Sequence, residues 1–487
     1  MSEVVRGPAG TEPGGEGKGS VPAPAGAPGG AAERSGVRAA ERLDRLPVSR
    51  WLVRLILILF LGWLVESYDI GLIGNVLPSL SHIYHLSTGE KSFIATASTI
   101  GIVIGILPAG YLADRFGRKW VFIGGIVTYS VLTFVTGLMS SPTEIAVLRL
   151  LAGLGMGAVF PLPYMLGSEF LPAGIRGRFT GLADSFLSVG YFLSPLLAIF
   201  LIPTVSSNGW RTMFFLGGIP VLFALLVWKW VPESPRWLEM KGYHDKADRV
   251  MKHIEAQVQR TVGPLPPVGP SLSVVESPGH VPLRTLLNPT YLKRTIMLWI
   301  VFGGSFFIFY AIQLYMPTVV HKLGYTLTSA FVITSIIVGV SIPGKYFEAW
   351  VIERWGRKPV IISFTGIAAV ASILFAVLGG NKVGGEVLLL VLASIMSFFG
   401  IAVDPAVKVY TAESYPTRVR ATGTNATEGF GRLIAGVIGP AVIPVLLVSQ
   451  GVEGAYVLVG AVALIAVAAI ALLGVETRGR SLEVISK

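Results

Sequence analysis

The chain contains no cysteine, and only 14% of its 487 residues are charged. The first absence excludes disulfides, thiol nucleophiles and cysteine-held metals. The second excludes an ordinary water-soluble protein, which at this length needs far more charge to cover its surface. No cleaved signal peptide is expected either. Residues 1–47 are rich in Gly, Pro, Ala and charge, without an apolar run, and read as a disordered cytoplasmic tail. Gly14 to Ser20 superficially resembles a phosphate loop. The register fails, because Lys18 is followed by Gly19 and no glycine stands five residues before Gly17. With no metal-ligand cluster, nucleophile constellation or nucleotide motif in sight, neither a cofactor nor an enzyme is expected.

What the chain has is apolar length: 52% of it is hydrophobic. Crossing about 30 Å of hydrocarbon takes about 20 apolar residues per helix, and twelve stretches qualify. Spans 1–6 are expected near 52–78, 91–113, 119–139, 144–167, 178–202 and 211–231. Spans 7–12 follow near 294–318, 328–351, 359–379, 386–411, 422–447 and 454–474. This divides the chain into a tail (1–47), a first half (48–231), a linker (232–293), a second half (294–475) and a short C-terminal tail (476–487).

The net charge of +11 lies in short loops, which argues for a lipid bilayer and against nucleic acid as the partner. One set of loops carries Arg115, Arg118, Lys119, Arg176, Arg178, Arg354, Arg357, Lys358, Arg418, Arg420, Arg478 and Arg480. The other set holds only Lys91, Arg211, Lys322 and Lys382. The first set is therefore read as cytoplasmic, with both termini inside and the protein multi-pass in the cell membrane. In the linker, residues near 240–260 have mixed charge at helical spacing and suggest an amphipathic surface helix. The stretch with Pro264, Pro266, Pro267, Pro270, Pro278 and Pro282 reads as an extended tether.

The halves repeat one another. Asp114-Arg115-Phe116-Gly117-Arg118-Lys119 returns 239 positions later as Glu353-Arg354-Trp355-Gly356-Arg357-Lys358. Glu169-x-x-Pro172-x-x-x-Arg176 returns at an offset of 244 as Glu413-x-x-Pro416-x-x-x-Arg420. Duplicated halves in a membrane imply a cavity between them that opens to either side.

These motifs resemble the major facilitator superfamily, in its sugar-porter and organic-ion branches. So do Arg149-x-x-x-Gly153-x-Gly155-x-Gly157 in span 4, Pro232-Glu233-Ser234-Pro235-Arg236-Trp237 after span 6, and Val475-Glu476-Thr477-Arg478-Gly479-Arg480-Ser481-Leu482-Glu483 after span 12. The resemblance covers nearly the whole chain beyond the tail. It implies an all-helical integral membrane protein of twelve spans in two pseudo-symmetric six-helix bundles around a central cavity. It also implies that Asp114, Arg115, Arg118, Glu169, Arg176, Glu353, Arg357, Glu413 and Arg420 are gating machinery. Asp114 is expected to pair with neighbouring arginines and to face a helix N-terminus, where an anion is favoured.

Ionisable groups inside spans are costly, so each needs a cavity, a partner or a task. Glu66 and Asp69 stand in span 1, Arg149 in span 4, Asp184 in span 5, Asp404 and Lys408 in span 10, and Glu428 and Arg432 in span 11. At about 1.5 Å per residue, Asp404 and Glu428 lie at roughly one depth, with Lys408 below and Arg432 above. Both latter pairs are i,i+4 neighbours with the acid N-terminal, the favourable order. Such a cluster is either self-neutralised or open to exchange with a charged substrate.

At the place of a sugar-binding glutamine of sugar porters, eight residues past Arg176, stands Asp184. Lys408 replaces their span 10 tryptophan, and their span 7 glutamine and asparagine set is missing. Charged groups in place of amides argue against a sugar. Tyr68-Asp69-x-Gly71-x-Ile73-Gly74 nevertheless resembles the sugar-porter span 1 signature, whose Asp pairs with the span 4 arginine in proton-coupled members. Asp69 and Arg149, with Glu66 as accessory, are therefore expected to couple protons; a static buried pair is the alternative. Tyr315-Met316-Pro317, Pro343-Gly344-Lys345 and the run from Tyr415 to Arg432 resemble the organic-ion branch, which includes nicotinate-type and other carboxylate carriers. There Arg432 would meet a carboxylate, with Tyr310 and Gln313 lining the site beside Asp184, Asp404, Lys408 and Glu428. Asn425-Ala426-Thr427 matches a glycosylation acceptor but falls inside a span and is discarded.

The sequence thus predicts a proton-coupled symporter of a small organic ion, carboxylate or zwitterionic, that works as a monomer by alternating access. A sugar or polyol symporter, an organic-cation or drug exporter and a non-transporting membrane sensor remain as alternatives.

Overall fold

A computed structural model describes residues 39–204, 206–268, 282–380 and 385–478; the side chains of 173–178, 180–181, 379–380, 386, 417–418 and 421 lie outside the description. Among the described residues there is helix and no strand. A bilayer demands this of a chain that is not a closed barrel, because only a helix satisfies its own backbone there. Twelve helices are long and apolar enough to cross a membrane. Spans 1–6 are Arg50–Ile83, Thr88–Phe116, Arg118–Thr136, Pro142–Phe170, Leu182–Leu201 and Gly209–Trp230. Spans 7–12 are Pro289–Lys322, Leu327–Trp355, Arg357–Leu378, Val387–Ser414, Thr422–Ser449 and Gly451–Leu473. Each overlaps the stretch expected from hydropathy.

The two halves pack alike. Span 1 lies on 5 as 7 lies on 11, 2 on 4 as 8 on 10, 3 on 4 as 9 on 10, and 3 on 6 as 9 on 12. Across the seam, 1 meets 7, 2 meets 11 and 5 meets 8. Several spans are interrupted, and proline is the recurring cause, since it lacks the N–H that continues a helix. Span 4 breaks at Phe160-Pro161, and span 10 at Val403, just before Asp404-Pro405. Span 11 passes through a π-helical segment, Ile434–Ile438, ahead of Pro440. Residues at or beside all three irregularities, Phe160, Val403 and Arg432, line one cavity. π-Bulges and broken helices mark functional sites often enough to direct attention there.

At the arginine-rich end, the linker forms a helix at His244–Val262, as its charge pattern suggests. The expected tail differs where it is described: Ala39–Asp44 is a short helix. Arg42 pairs with Asp248 at 2.7 Å and Glu255 at 2.6 Å, and Arg45 reaches Glu255 at 2.6 Å. Opposite charges 206 to 213 residues apart thus pin this stretch to the linker, which composition alone does not reveal. Lys252 and Arg42 hold the Asp248 carboxyl below its ordinary range. Burial works to raise Glu255, but hydrogen bonds from Arg42 and Arg45 outweigh it and lower that carboxyl too. Groups with depressed folded pKa values stabilise above the unfolded value and lose that contribution as pH falls through the folded one. Amide exchange over residues 39–44 is therefore expected to be slow at neutral pH and to accelerate below about pH 4; exchange independent of pH-corrected chemistry would contradict the clamp.

At the opposite end, the halves touch through Ser92 Oγ to the Ala441 carbonyl at 3.3 Å and Thr328 Oγ1 to the Pro203 carbonyl at 3.4 Å. The tightest approach there is Gly74 of span 1 against the Gln313 carbonyl of span 7, where a Cβ would collide with backbone. Because the chain is free of cysteine, one introduced thiol can report on this seam. Gln313→Cys is expected to resist a water-soluble maleimide, and adding Gly74→Leu to force spans 1 and 7 apart is expected to make it reactive. Equal labelling in both backgrounds would mean that the seam does not depend on this contact.

Candidate functional site: a charged cavity between the halves

The interrupted segments of spans 4, 10 and 11 meet spans 5, 7 and 8 around an enclosed cavity. Its aromatic walls are Phe160, Tyr191, Phe306 and Phe309, and its charged groups are Lys345, Asp404, Lys408 and Arg432. The free space is ≈ 20 Å³, room for about one water molecule. The halves must therefore spread before an organic molecule enters.

Two charged clusters border it. In the first, Lys408 Nζ lies 3.1 Å from Asp184 Oδ1 and 3.0 Å from Asp404 Oδ2. Lys345 Nζ donates to the Asp184 carbonyl oxygen at 2.7 Å, and the Tyr164 hydroxyl donates to Asp184 Oδ1 at 3.0 Å. Asp184 belongs to the first half and both lysines to the second, so this cluster bridges the halves. Glu348, one turn beyond Lys345, is buried with Oε1 unpartnered and lies within electrostatic reach of Asp184 and Asp404. In the second cluster, Arg432 Nη2 contacts Glu428 Oε1 at 3.0 Å, and its guanidinium stacks 4.1 Å from the Phe160 ring. Arg432 Nε is buried without a partner. A donor left open beside an aromatic face is a place for a planar anion.

Deeper in the first half, Asp69 and Arg149 are both 0% exposed and form a two-pronged pair, Nη2–Oδ2 2.7 Å and Nη1–Oδ1 3.1 Å. Ser98 Oγ at 2.9 Å and Thr133 Oγ1 at 3.0 Å take further guanidinium N–H groups. Glu66 is fully buried, and neither carboxylate oxygen has a hydrogen-bond partner. It lies within electrostatic reach of Asp69, Glu428 and Arg432, between the inner pair and the cavity.

Of the expected substrate residues, Asp404, Lys408 and Arg432 line the cavity, and Asp184 and Glu428 stand behind them on the lysine and the arginine. Asp184 and Glu428, which the offset of 244 places at matched positions in the two halves, stand in separate clusters, one on Lys408 and the other on Arg432. Gln313 and Tyr310 are not among the lining residues. Gln313 packs on Gly71 at the seam, and the Tyr310 hydroxyl is buried beside Gly436. Lys345, Glu348, Tyr164, Phe160 and Tyr191 were not singled out by the sequence as site residues. A lysine and a glutamate inside apolar span 8 were the available signal.

The arginine-rich loops form two copies of one knot. Arg118 binds Asp114 at 2.8 Å and Glu169 at 2.9 Å; Arg357 binds Glu413 at 3.1 Å and Glu353 at 3.7 Å. The carboxylates at the helix N-termini are Glu233 and Glu476 rather than Asp114. Glu233 Oε1 accepts from the backbone N–H groups of Arg118 and Lys119 at 3.0 and 3.2 Å, and Glu476 from those of Arg357 and Lys358 at 3.0 and 2.9 Å. Each knot turns on a glycine with positive φ, Gly117 at 101° and Gly356 at 97°. A Cβ at either would meet the Glu233 or Glu476 carboxylate. Arg115 lies outside the knot, donating to the Tyr111 hydroxyl at 3.0 Å, and Arg420 donates to the Tyr415 carbonyl at 3.3 Å. The Arg176 side chain lies outside the described residues.

The bridge between halves has a measurable consequence. Asp184→Asn and Lys408→Gln are each expected to destabilise the purified protein, with a double-mutant coupling of about 1–3 kcal/mol. Strictly additive effects on thermal stability would mean that the pair does not interact.

Residues 55–487 match the family described as sugar (and other) transporter. The niacin transporter NiaP of Acinetobacter baylyi is 31% identical over 443 residues, covering 91% of this chain and 98% of that protein. The 4-hydroxybenzoate transporter PcaK of the same organism is 28% identical, covering 86% and 90%. Among solved structures, a D-xylose-proton symporter superposes with a TM-score of 0.71 at 21% identity, covering 88% of this chain and all of that one; at that identity it speaks for the fold alone. The chain is a transporter and not an enzyme, and it belongs to the sugar (and other) transporter family of the major facilitator superfamily.

Proposed function

We propose that this transporter carries a small aromatic carboxylate across the cell membrane together with protons, by alternating access. The observation that carries the reading is Arg432, stacked on Phe160 with an unpartnered Nε, beside Lys408 in a cavity walled by Tyr191, Phe306 and Phe309. A ring would lie among the aromatic faces, and its carboxylate would take a guanidinium prong and the Lys408 ammonium. The names of the two relatives agree in chemistry: niacin and 4-hydroxybenzoate are both acids on a single aromatic ring.

In this reading the substrate carboxylate displaces Asp184 from Lys408. That loosens the bridge between the halves and lets them rock. Protonation of Asp69 removes the charge that Arg149 holds, and Glu66 relays between that pair and the Arg432 site. The knots at Arg118 and Arg357 hold the arginine-rich end, taken as cytoplasmic together with both termini. One chain contains every element of the cycle, so the working unit is a monomer. A sugar is disfavoured because the cavity offers cations and carboxylates where a neutral polyol needs amides. The carboxylates around the cavity leave an organic cation as the second reading.

Uptake into proteoliposomes under an imposed proton gradient tests this, with nicotinate, 4-hydroxybenzoate, N-methylnicotinamide cation and xylose as labelled candidates. Accumulation is expected for an aromatic acid. Arg432→Gln is expected to lower its uptake about 10–100-fold, the loss of one charge-assisted hydrogen bond. Asp69→Asn is expected to abolish gradient-driven accumulation while sparing exchange. Accumulation of the cation or the sugar alone would overturn the substrate class, and binding without accumulation would point to a sensor.

A further inference from the structure

At the end opposite the arginine-rich loops, a second cavity of ≈ 290 Å³ opens along the seam between spans 1 and 2 of one half and spans 7 and 11 of the other. Its charge is one-sided. His82, Lys91, His321 and Lys322 line it, and none of its lining residues is acidic. Among the described residues no carboxylate pairs with either lysine. Lys322 Nζ donates only to the Leu447 carbonyl, at 3.1 Å. The acid next to Lys91 in sequence, Glu90, is committed elsewhere: its Oε2 accepts from the Ser87 N–H at 2.8 Å and the Ser87 hydroxyl at 2.7 Å, capping span 2. His321 Nδ1 lies 2.8 Å from the Tyr325 carbonyl. A carbonyl only accepts, so Nδ1 carries the proton there. Thr318 Oγ1, also on the lining, is buried without a partner.

The remaining wall is apolar, with Leu77, Tyr315 and Leu447 among its residues. The Tyr315 hydroxyl is tied to the Pro440 carbonyl at 2.7 Å, which fixes its ring. Along span 7 this cavity lies only roughly 9 Å from the central one, the rise from Phe309 to Tyr315. The packing of Gly74 on span 7 separates the two.

We infer that this vestibule is a weak binding site for small carboxylate anions, where cargo gathers before the seam opens to the central cavity. The inference rests on the carboxylate reading given above for the choice of ligand. Unpaired cations in a concave, partly apolar recess focus the field and raise the local concentration of anions. A hydrophobic floor adds affinity for those that carry a ring. Two lysines without carboxylate partners, one of them resting on the Leu447 carbonyl, hold the anion loosely, as a staging site requires.

Binding of benzoate to the full chain in nanodiscs, followed by saturation-transfer NMR and calorimetry at low and high salt, tests this. Four forms are compared: wild type, Arg432→Gln, Lys91→Gln/Lys322→Gln, and the triple variant. Lys91 is half-buried and Lys322 exposed, so their neutralisation leaves the packing intact. Wild type is expected to show two classes of site. Arg432→Gln keeps a weak class that loses about five-fold in affinity at high salt, the double lysine variant keeps only the Arg432-dependent class, and the triple variant keeps neither. Weak binding that survives loss of both lysines, or none in Arg432→Gln, would overturn the vestibule. A lysine-dependent class with no Arg432-dependent one would uphold the vestibule and sink the central carboxylate site. No benzoate binding at all would overturn both.

Discussion

A lysine ammonium near the middle of a bilayer has no water to solvate it, and Lys408 meets that constraint by pairing with carboxylates from both halves of the molecule. Asp404 lies on its own helix, while Asp184 comes from the other bundle. Lys345 adds a second tie to the Asp184 carbonyl. In a low-dielectric interior such contacts are strong and short-ranged. Breaking the contact to Asp184 without replacement leaves Lys408 to Asp404 alone and the Asp184 carboxylate to the Tyr164 hydroxyl, a costly loss of charge compensation. A substrate that brings its own carboxylate removes that penalty. In the proposed cycle, the same charges that hold the halves together make their separation conditional on cargo.

In the same proposed cycle, the rest of the architecture keeps this exchange from leaking. At the arginine-rich end two copies of one knot tie spans 2 and 3, and 8 and 9, to the segments that follow spans 6 and 12. Glu233 shows how tightly: burial raises its carboxyl even though three backbone N–H groups act to lower it. At the other end, glycine-thin packing of span 1 on span 7 closes the path. Between them, the span interruptions at Phe160, Val403 and Ile434 lie beside residues that line one cavity. Duplication explains why the knot at the arginine-rich end is built twice from the same residue types.

Much of this was legible in the sequence because it is local or repeated. Span positions follow from apolar length. The Glu428–Arg432 and Asp404–Lys408 contacts obey the i,i+4 rule of a single helix, and the knots announce themselves by recurring at an offset of 239. Contacts that form only on folding were not legible. Asp184 finds Lys408 across 224 residues and Lys345 across 161, and no periodicity encodes either. Gln313 misled for a related reason: a polar residue in span 7 can face the cavity or the seam, and span 1's Gly71 and Gly74 draw it to the seam. Glu233 and Glu476 sat in quoted motifs, yet their task at a helix N-terminus depends on a loop folding back by more than 110 residues.

In the proposed cycle, cargo and Asp184 compete for one cation, Lys408. Distances between spin labels placed on the two halves at the arginine-rich end, in the natural cysteine-free background, measure this directly. Addition of an aromatic carboxylate should shift the wild-type distance distribution, Asp184→Asn should shift it without ligand, and Lys408→Gln should no longer respond. Identical distributions in all three proteins, with and without the acid, would contradict the claim.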